Sequence, residues 1–299
     1  MSKPRHAVAP ALVTMALFCA GGHPAAAAEP LPPAAKVGRC DRSAFRVVVD
    51  VGHTTDKPGA DSARGAHEYD FNLRLADDIT KALVGAGFTK TVRLITETPP
   101  WRGLVERAER ANAVHADLFI AIHHDSVPDN LIETWEYQGE KRHFNDRFKG
   151  YAIFISDDNA DLRGSLRFAH DLGDQLQARG LQYTPHYTLP IMGRYRHQLV
   201  DAQAGVYRYD QLVVLRKTLM PAVLLEAGSI VNRQEELELA TPERRALTSA
   251  AITAAVEDFC ATRPQPNIRQ AKRRQAPSRS HGLATLLPFL ARSERPRDR

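Results

Sequence analysis

Between residues 46 and 260 the sequence alternates between short unbroken apolar runs and stretches with helical spacing, and this alternation constrains the fold more than any other feature. The runs are 46–51 (RVVVDV), 92–95, 118–122 (LFIAI), 151–155 (YAIFI), 212–215 and 222–225. Each is short, rich in β-branched residues and bounded by polar or turn residues, the pattern of a strand buried on both faces. Between them, Phe71, Leu75, Ile79 and Leu83 repeat every four residues; Leu104, Ala108 and Ala111 mark a second helix, and Leu166, Ala169, Leu172 and Leu176 a third. Thr241-Pro242 opens the last one, which continues through Leu247, Ile252 and Val256: a capping hydroxyl followed by proline in the first turn. The expected fold class is α/β, a twisted, largely parallel sheet of about six strands with helices on both faces. Chemistry in such a sheet belongs in the crevice beyond the C-terminal ends of the strands.

The flanks read differently from this body. Lys3 and Arg5, a mostly apolar stretch from 7 to 20, and Ala26-Ala27-Ala28 before Glu29 have the layout of a secretory signal peptide over residues 1–28. Cys19 follows the bulky Phe18, which disfavours lipid attachment. Residues 29–45 read as a Pro/Ala-rich linker and the start of the domain, 46–262 as the catalytic domain, and 263–299 as a basic disordered tail. That tail carries 10 Lys/Arg against 2 Asp/Glu. The whole chain is +5, so without tail and leader residues 29–262 are mildly acidic, at −5. No nucleic-acid partner is therefore expected, and the tail is assigned at most contact with anionic envelope polymers. The expected location is outside the cytoplasm, in the periplasm or else secreted or at the cell wall. Export leaves Cys40 and Cys260 as an even pair in an oxidising compartment, which favours a disulfide.

Polar residues fall where the sheet would place a site. His53 follows the first run, His123 closes the third and Glu226 the last, while Glu68 opens the first helix with Asn72 one turn later. Two imidazoles and a carboxylate from different elements suit a zinc ion with an open coordination position, leaving Glu226 to accept a proton from water. Spacing alone carries this only as far as a metal hydrolase, since each residue also has a plain structural reading.

Longer motifs add a resemblance. The stretch VVVDVGHTTDKPGADSARGAHEYDFNLRLA resembles the opening of the zinc-dependent N-acetylmuramoyl-L-alanine amidases, peptidoglycan hydrolases of the cell-separation type. It holds Asp50 to His53, Pro58-Gly59-Ala60, and Glu68 with Asn72. GLVERAERANAVHADLFIAIHHDS is similar to the family's second block through Leu104, Arg107, Ala111-Asn112 and the residues from Ala116 to His123. MPAVLLEAGSIVNRQEE is similar to its third, with Glu226, Gly228 and Asn232. The resemblance implies one Zn²⁺ per chain held by His53, Glu68 and His123, with Glu226 as the catalytic carboxylate. It implies peptidoglycan as substrate, cleaved at the amide between N-acetylmuramic acid and L-alanine, and an activator protein as a partner to look for. His124-Asp125 departs from the small residue usual after the ligand, Thr54-Thr55 replaces frequent glycines, and His67 beside Glu68 reads as a surface residue.

Two polar segments exceed what a catalytic core needs. Residues 128–149, with Trp135 and Tyr137, are a candidate cover for the site. Residues 181–210, with Tyr183, Tyr187, Tyr195, Tyr207, Tyr209, Arg194, Arg196 and Arg208, are a candidate wall of a substrate groove, with ordinary packing of the tyrosines as the alternative. A zinc peptidase cutting within the stem peptide and a silent wall-binding protein on the same fold stay open as rival functions.

Overall fold

The computed structural model describes residues 40–97 and 100–263. The expected signal peptide, most of the linker and the basic tail beyond Arg263 lie outside the described residues. Seven strands form one sheet: β1 (Val47–Val51), β2 (Val92–Leu94), β3 (Leu118–Asp125), β6 (Ala152–Ile155), β7 (Gln198–Asp201), β8 (Val206–Arg208) and β9 (Ala222–Ser229). Two more, β4 (Glu133–Tyr137) and β5 (Glu140–Phe144), pair as a separate hairpin. The order across the sheet is β2-β1-β3-β9-β6-β8-β7. Pairing is parallel from β2 to β9 and between β6 and β8, whereas β6 runs antiparallel to β9 and β7 to β8.

Strict alternation along the strands supplies both faces. Val47, Val49, Val51, Leu118, Ile120, Ile122, Val223 and Leu225 enter one core, with Leu75, Ile79 and Leu83 of α1 (Glu68–Gly85), Phe168, Ala169 and Leu172 of α3 (Leu162–Gln177), and Ile252, Val256 and Phe259 of α6 (Pro242–Thr262). Val48, Phe119, Ala121, Phe154 and Leu224 enter the other, with Ala111 of α2 (Pro100–Ala113) and Val214 and Leu215 of α4 (Val213–Lys217). A period of two on strands buried from both sides thus produces two cores, as expected of a doubly covered sheet. The short α5 (Glu235–Ala240) precedes α6, whose Thr241 hydroxyl accepts from the Arg244 amide at 3.1 Å, the expected cap. Cys40 and Cys260 are joined in a disulfide, with Cα atoms 5.2 Å apart.

Three expectations are corrected. The run 212–215 is not a strand but the start of α4. Its last turn is held by a distant side chain: the Asn159 amide donates to the carbonyls of Leu215 at 2.6 Å and of Thr218 and Met220 at 3.2 Å. Of these only Leu215 lies within α4, and its carbonyl is one that a five-residue helix otherwise leaves open. The sheet gains β7 and β8, whose three or four residues are too few and too polar to show a period. The leading leucine of three helices also misses the core: Leu104, Leu166 and Leu247 are 41%, 38% and 43% exposed.

Candidate metal centre and catalytic cleft

β1 delivers the chain to Gly52 and His53 beside the end of β3, where the Gly52 amide donates to the Ile122 carbonyl at 3.0 Å. His53 takes a φ of 68°, a left-handed conformation uncommon outside glycine. Arg107 of α2 holds it there. This guanidinium is 3% exposed and donates to the Asp50 carboxylate at 2.7 Å and to the carbonyls of Val51 and His53. Burial pushes the Asp50 carboxyl up to about 6 against the pull of Arg107.

Glu68, at the first turn of α1, is 5% exposed and reaches both histidines. The His53 Nε2 lies 3.0 Å from Glu68 Oε2, and His123 Nδ1 3.0 Å from Glu68 Oε1. The amides of Ala60 and His124 also donate to this carboxylate, at 3.2 and 3.3 Å. Burial alone would raise Glu68, but hydrogen bonds from His123 and His53 bring it well below the usual carboxylate range. Burial lowers the His123 imidazole, against the opposing pull of Glu68. The structure thus brings His53, Glu68 and His123 together, with one donor atom from each lying within 4.8 Å of the others. Two glycines make room for them. A Cβ on Gly52 would overlap the His123 ring, and one on Gly59 would overlap both Glu68 and the His53 ring.

Asn72 fixes the orientation of this group. Its amide nitrogen donates to the Gly52 carbonyl at 3.3 Å and to Glu68 Oε1 at 3.2 Å, both pure acceptors. Its oxygen must therefore face His124 Nδ1, 2.7 Å away, which must carry the proton. Burial pushes His124 down to about 3, so it is a neutral donor beneath the site. His67 is exposed and pairs with Asp61 at 2.9 Å, away from the carboxylate beside it.

Glu226 of β9 stands directly across from His123 in the parallel register of β3 and β9, so the two side chains share one face at the sheet's end. Its Oε2 is buried without a hydrogen-bond partner. Burial pushes this carboxyl well up, and the negative charges of Asp125 and Glu68 push it further. Asp125 itself, raised to about 7 by burial, accepts from the Tyr187 hydroxyl at 2.7 Å. Glu68, Asp125 and Glu226 thus converge with His53 and His123 at the floor of one cleft, an electrostatic arrangement that a divalent cation relieves. Two imidazole nitrogens and one carboxylate oxygen form a donor set that fits zinc.

The cleft holds about 340 Å³. Its floor is Glu226, Leu224 and the metal-ligand candidates, and Tyr187, Met192, Tyr195, His197 and Tyr209 form one wall. The segment 181–210 therefore does wall the site, but with only three of its five tyrosines; Tyr207 is fully buried and Tyr183 packs against both cores. An apolar hollow of about 270 Å³ adjoins on the other side, lined by Leu104, Leu212, Val213, Val214 and Leu224, which accounts for the exposure of Leu104. Of residues 128–149, only Pro128 and Asp129 line the cleft. The hairpin turns through Gln138 and Gly139, both at positive φ, and lies elsewhere, with Trp135 donating to the Ala63 carbonyl at 3.0 Å.

The sequence places Arg107 in an amidase-like block and Tyr187 among the tyrosines of a candidate groove wall, without indicating that Arg107 donates to Asp50 and the His53 carbonyl or Tyr187 to Asp125. Arg107 leaves a trace, since it falls four residues from Ala111 on the apolar stripe of α2, where a charge needs a buried partner. The bond from Tyr187 to Asp125 leaves no such trace, because it depends on a turn far from β3 in sequence.

The family model described as N-acetylmuramoyl-L-alanine amidase matches residues 47–258. An endolysin of Bacillus phage SPP1 is 32% identical over 92 residues, covering 30% of this chain and 33% of the endolysin. The chain thus matches about a third of that relative's length. A putative N-acetylmuramoyl-L-alanine amidase of Buchnera aphidicola is 22% identical over 226 residues, covering 71% of this chain and 95% of that protein. Among solved structures, the amidase Ami1 from Mycobacterium smegmatis superposes with a TM-score of 0.58 at 20% identity, over 74% of this chain and 99% of that one. An amidase from Clostridium difficile 630 gives 0.54 at 20% identity, over 74% and 100%. At these identities the structural likeness establishes a common fold.

Proposed function

Because the chain belongs to the N-acetylmuramoyl-L-alanine amidase family, and with it to the hydrolases of peptidoglycan amide bonds, we propose that it cleaves the amide between N-acetylmuramic acid and L-alanine with one zinc ion held by His53, Glu68 and His123. The observation that carries this reading is the convergence of those three donors within 4.8 Å, with Glu226 in register beside His123. When bound, the ion supplies Lewis acidity to the scissile carbonyl and the attacking water.

The remaining chemistry is assigned to the chain itself. Glu226 takes the proton of the attacking water at its buried Oε2 and returns it to the departing alanine nitrogen. Burial and the flanking charges of Asp125 and Glu68 raise its proton affinity, which suits a group that must hold a proton between two steps. Asn72 holds Glu68 and, through Arg107, α2 holds His53, so the donor geometry precedes metal binding. Tyr187, Tyr195 and Tyr209 offer ring faces to substrate along the cleft.

Export belongs to the same proposal, supported by the Cys40–Cys260 disulfide, which persists in oxidising compartments. No described helix is long and apolar enough to cross a membrane. A role in wall remodelling or daughter-cell separation, with or without an activator protein, rests on the family alone.

The test is digestion of purified peptidoglycan by the zinc-loaded, chelated and zinc-restored protein, with mass spectrometry of the products. Stem peptides beginning at L-alanine are expected, lost on chelation and regained with zinc. Products cut within the stem would reassign the enzyme as a peptidase, and wall binding without zinc-dependent products would reassign it as a binding protein.

A further inference from the structure

The groove continues past the metal centre. His197 and Tyr209 line both the catalytic cleft and a further hollow of about 340 Å³, where Arg194, Arg196 and Arg208 converge. The two ends differ in the groups they present: the carboxyl groups of Glu68, Asp125 and Glu226 at one, three guanidiniums and Asp210 at the other.

The three arginines are not equivalent. Arg208 is neutralised by Asp210 at 2.5 Å and Asp157 at 2.8 Å. Arg194 donates to the Tyr195 hydroxyl at 2.7 Å and lies 4.9 Å over that ring, while Asp129 acts on it only through its field. Arg196 is exposed, and no ion pair engages it among the described residues. Two guanidiniums thus face the groove without a carboxylate of their own. Their backbone is anchored: Met192 is 2% exposed, the His197 amide donates to the Tyr187 carbonyl at 2.9 Å, and Tyr187 bonds Asp125 beside Glu226. The backbone that carries the two cations is therefore tied, at Met192 and His197, to the catalytic end.

A guanidinium fork matches a carboxylate, and neither hydroxyls nor acetamido groups replace that charge. The muramic-acid carboxyl is consumed in the scissile amide, whereas a stem containing γ-linked D-glutamate and diaminopimelate carries carboxyls that its backbone does not use. We propose that Arg194 and Arg196 form a carboxylate subsite that reads the stem peptide on the leaving side of the cleaved amide, favouring stems with free side carboxyls over amidated ones. This rests on the amidase reading for its substrate, but its test does not depend on turnover.

The experiment is calorimetric binding of two synthetic peptides to the zinc-loaded chain: L-alanyl-γ-D-glutamyl-diaminopimelate with free side carboxyls, and the same peptide with them amidated. The parent protein should bind the free acid about three- to tenfold more tightly, a preference that shrinks as salt is raised. Arg194→Gln/Arg196→Gln should bind both peptides alike, and each single variant should take part of the loss. Equal binding of the two peptides by the parent overturns the subsite, and so does a preference that survives in the double variant. If polymer digestion yields no amidase products but the arginine-dependent preference is present, the subsite stands and the catalytic reading alone falls.

Discussion

In the proposed reaction Glu226 carries a proton in a place where burial and two other acids already favour its neutral form. A cation bound between His53, Glu68 and His123 opposes that effect, so metal binding and the ionisation of Glu226 are linked. Two consequences can be measured. Glu226→Gln should retain zinc and lose about 10²–10⁴-fold in kcat, the usual contribution of a general base. Its zinc binding near neutral pH should also release fewer protons than the parent's, read by calorimetry in buffers of different ionisation enthalpy. The sign follows from the direction of the shift: a carboxyl raised in the metal-free chain gives up its proton when the cation arrives, and glutamine has none to give. A zinc-loaded variant turning over at the parent rate would remove Glu226 from the mechanism. At the same scale, Asn72 shows how one amide can settle a tautomer. Its two acceptor partners leave only one orientation, and that orientation makes His124 a donor beneath the ligands.

The elements matter for what they allow to approach. Glu226 and His123 meet because β3 and β9 run parallel in register, and Glu68 reaches them because α1 starts where the loop after β1 returns to the sheet. That return passes through Gly52, whose amide and carbonyl are both engaged, so the backbone cannot retreat from the His123 ring. Gly52→Ala should therefore keep the fold and displace the imidazole. Zinc affinity, measured by competition with a chelator, should fall at least about tenfold, the scale of loss when groups that merely orient ligands are altered. Unchanged affinity would mean the loop can shift as a unit. The corrected helix α4 belongs here as well. It replaces an expected strand, and by doing so it brings Leu212, Val213 and Val214 to the apolar hollow beside the site rather than into the sheet.

For the molecule as a whole, the Cys40–Cys260 link closes most of the folded chain, the two cysteines being 220 positions apart. In the chain-entropy account so long a loop makes the bridge worth about 5 kcal/mol, mostly by restricting the unfolded state. Cys40→Ser/Cys260→Ser should lower unfolding stability in denaturant by that amount with the His53–Glu68–His123 group intact, and equal midpoints for the two proteins would refute the bridge's role. The same scale separates what was legible in the sequence from what was not. The alternation of runs and helical stripes determined the doubly covered sheet, because burial on two faces needs continuous apolar strands whatever lies between them. His53, His123 and Glu226 were visible for a related reason: a parallel sheet places strand ends on one side, so polar residues directly after apolar runs converge, whereas Glu68 was legible only as the residue opening the first helix and through the family resemblance. The conformation of 212–217, the strands β7 and β8, the use of only three tyrosines in the cleft wall and the locking of His53 by Arg107 were decided by tertiary structure alone. Each depends on a partner far away in the chain, Asn159 for the first and Asp50 for the last, and a local pattern holds no record of which distant groups will satisfy a buried carbonyl or charge.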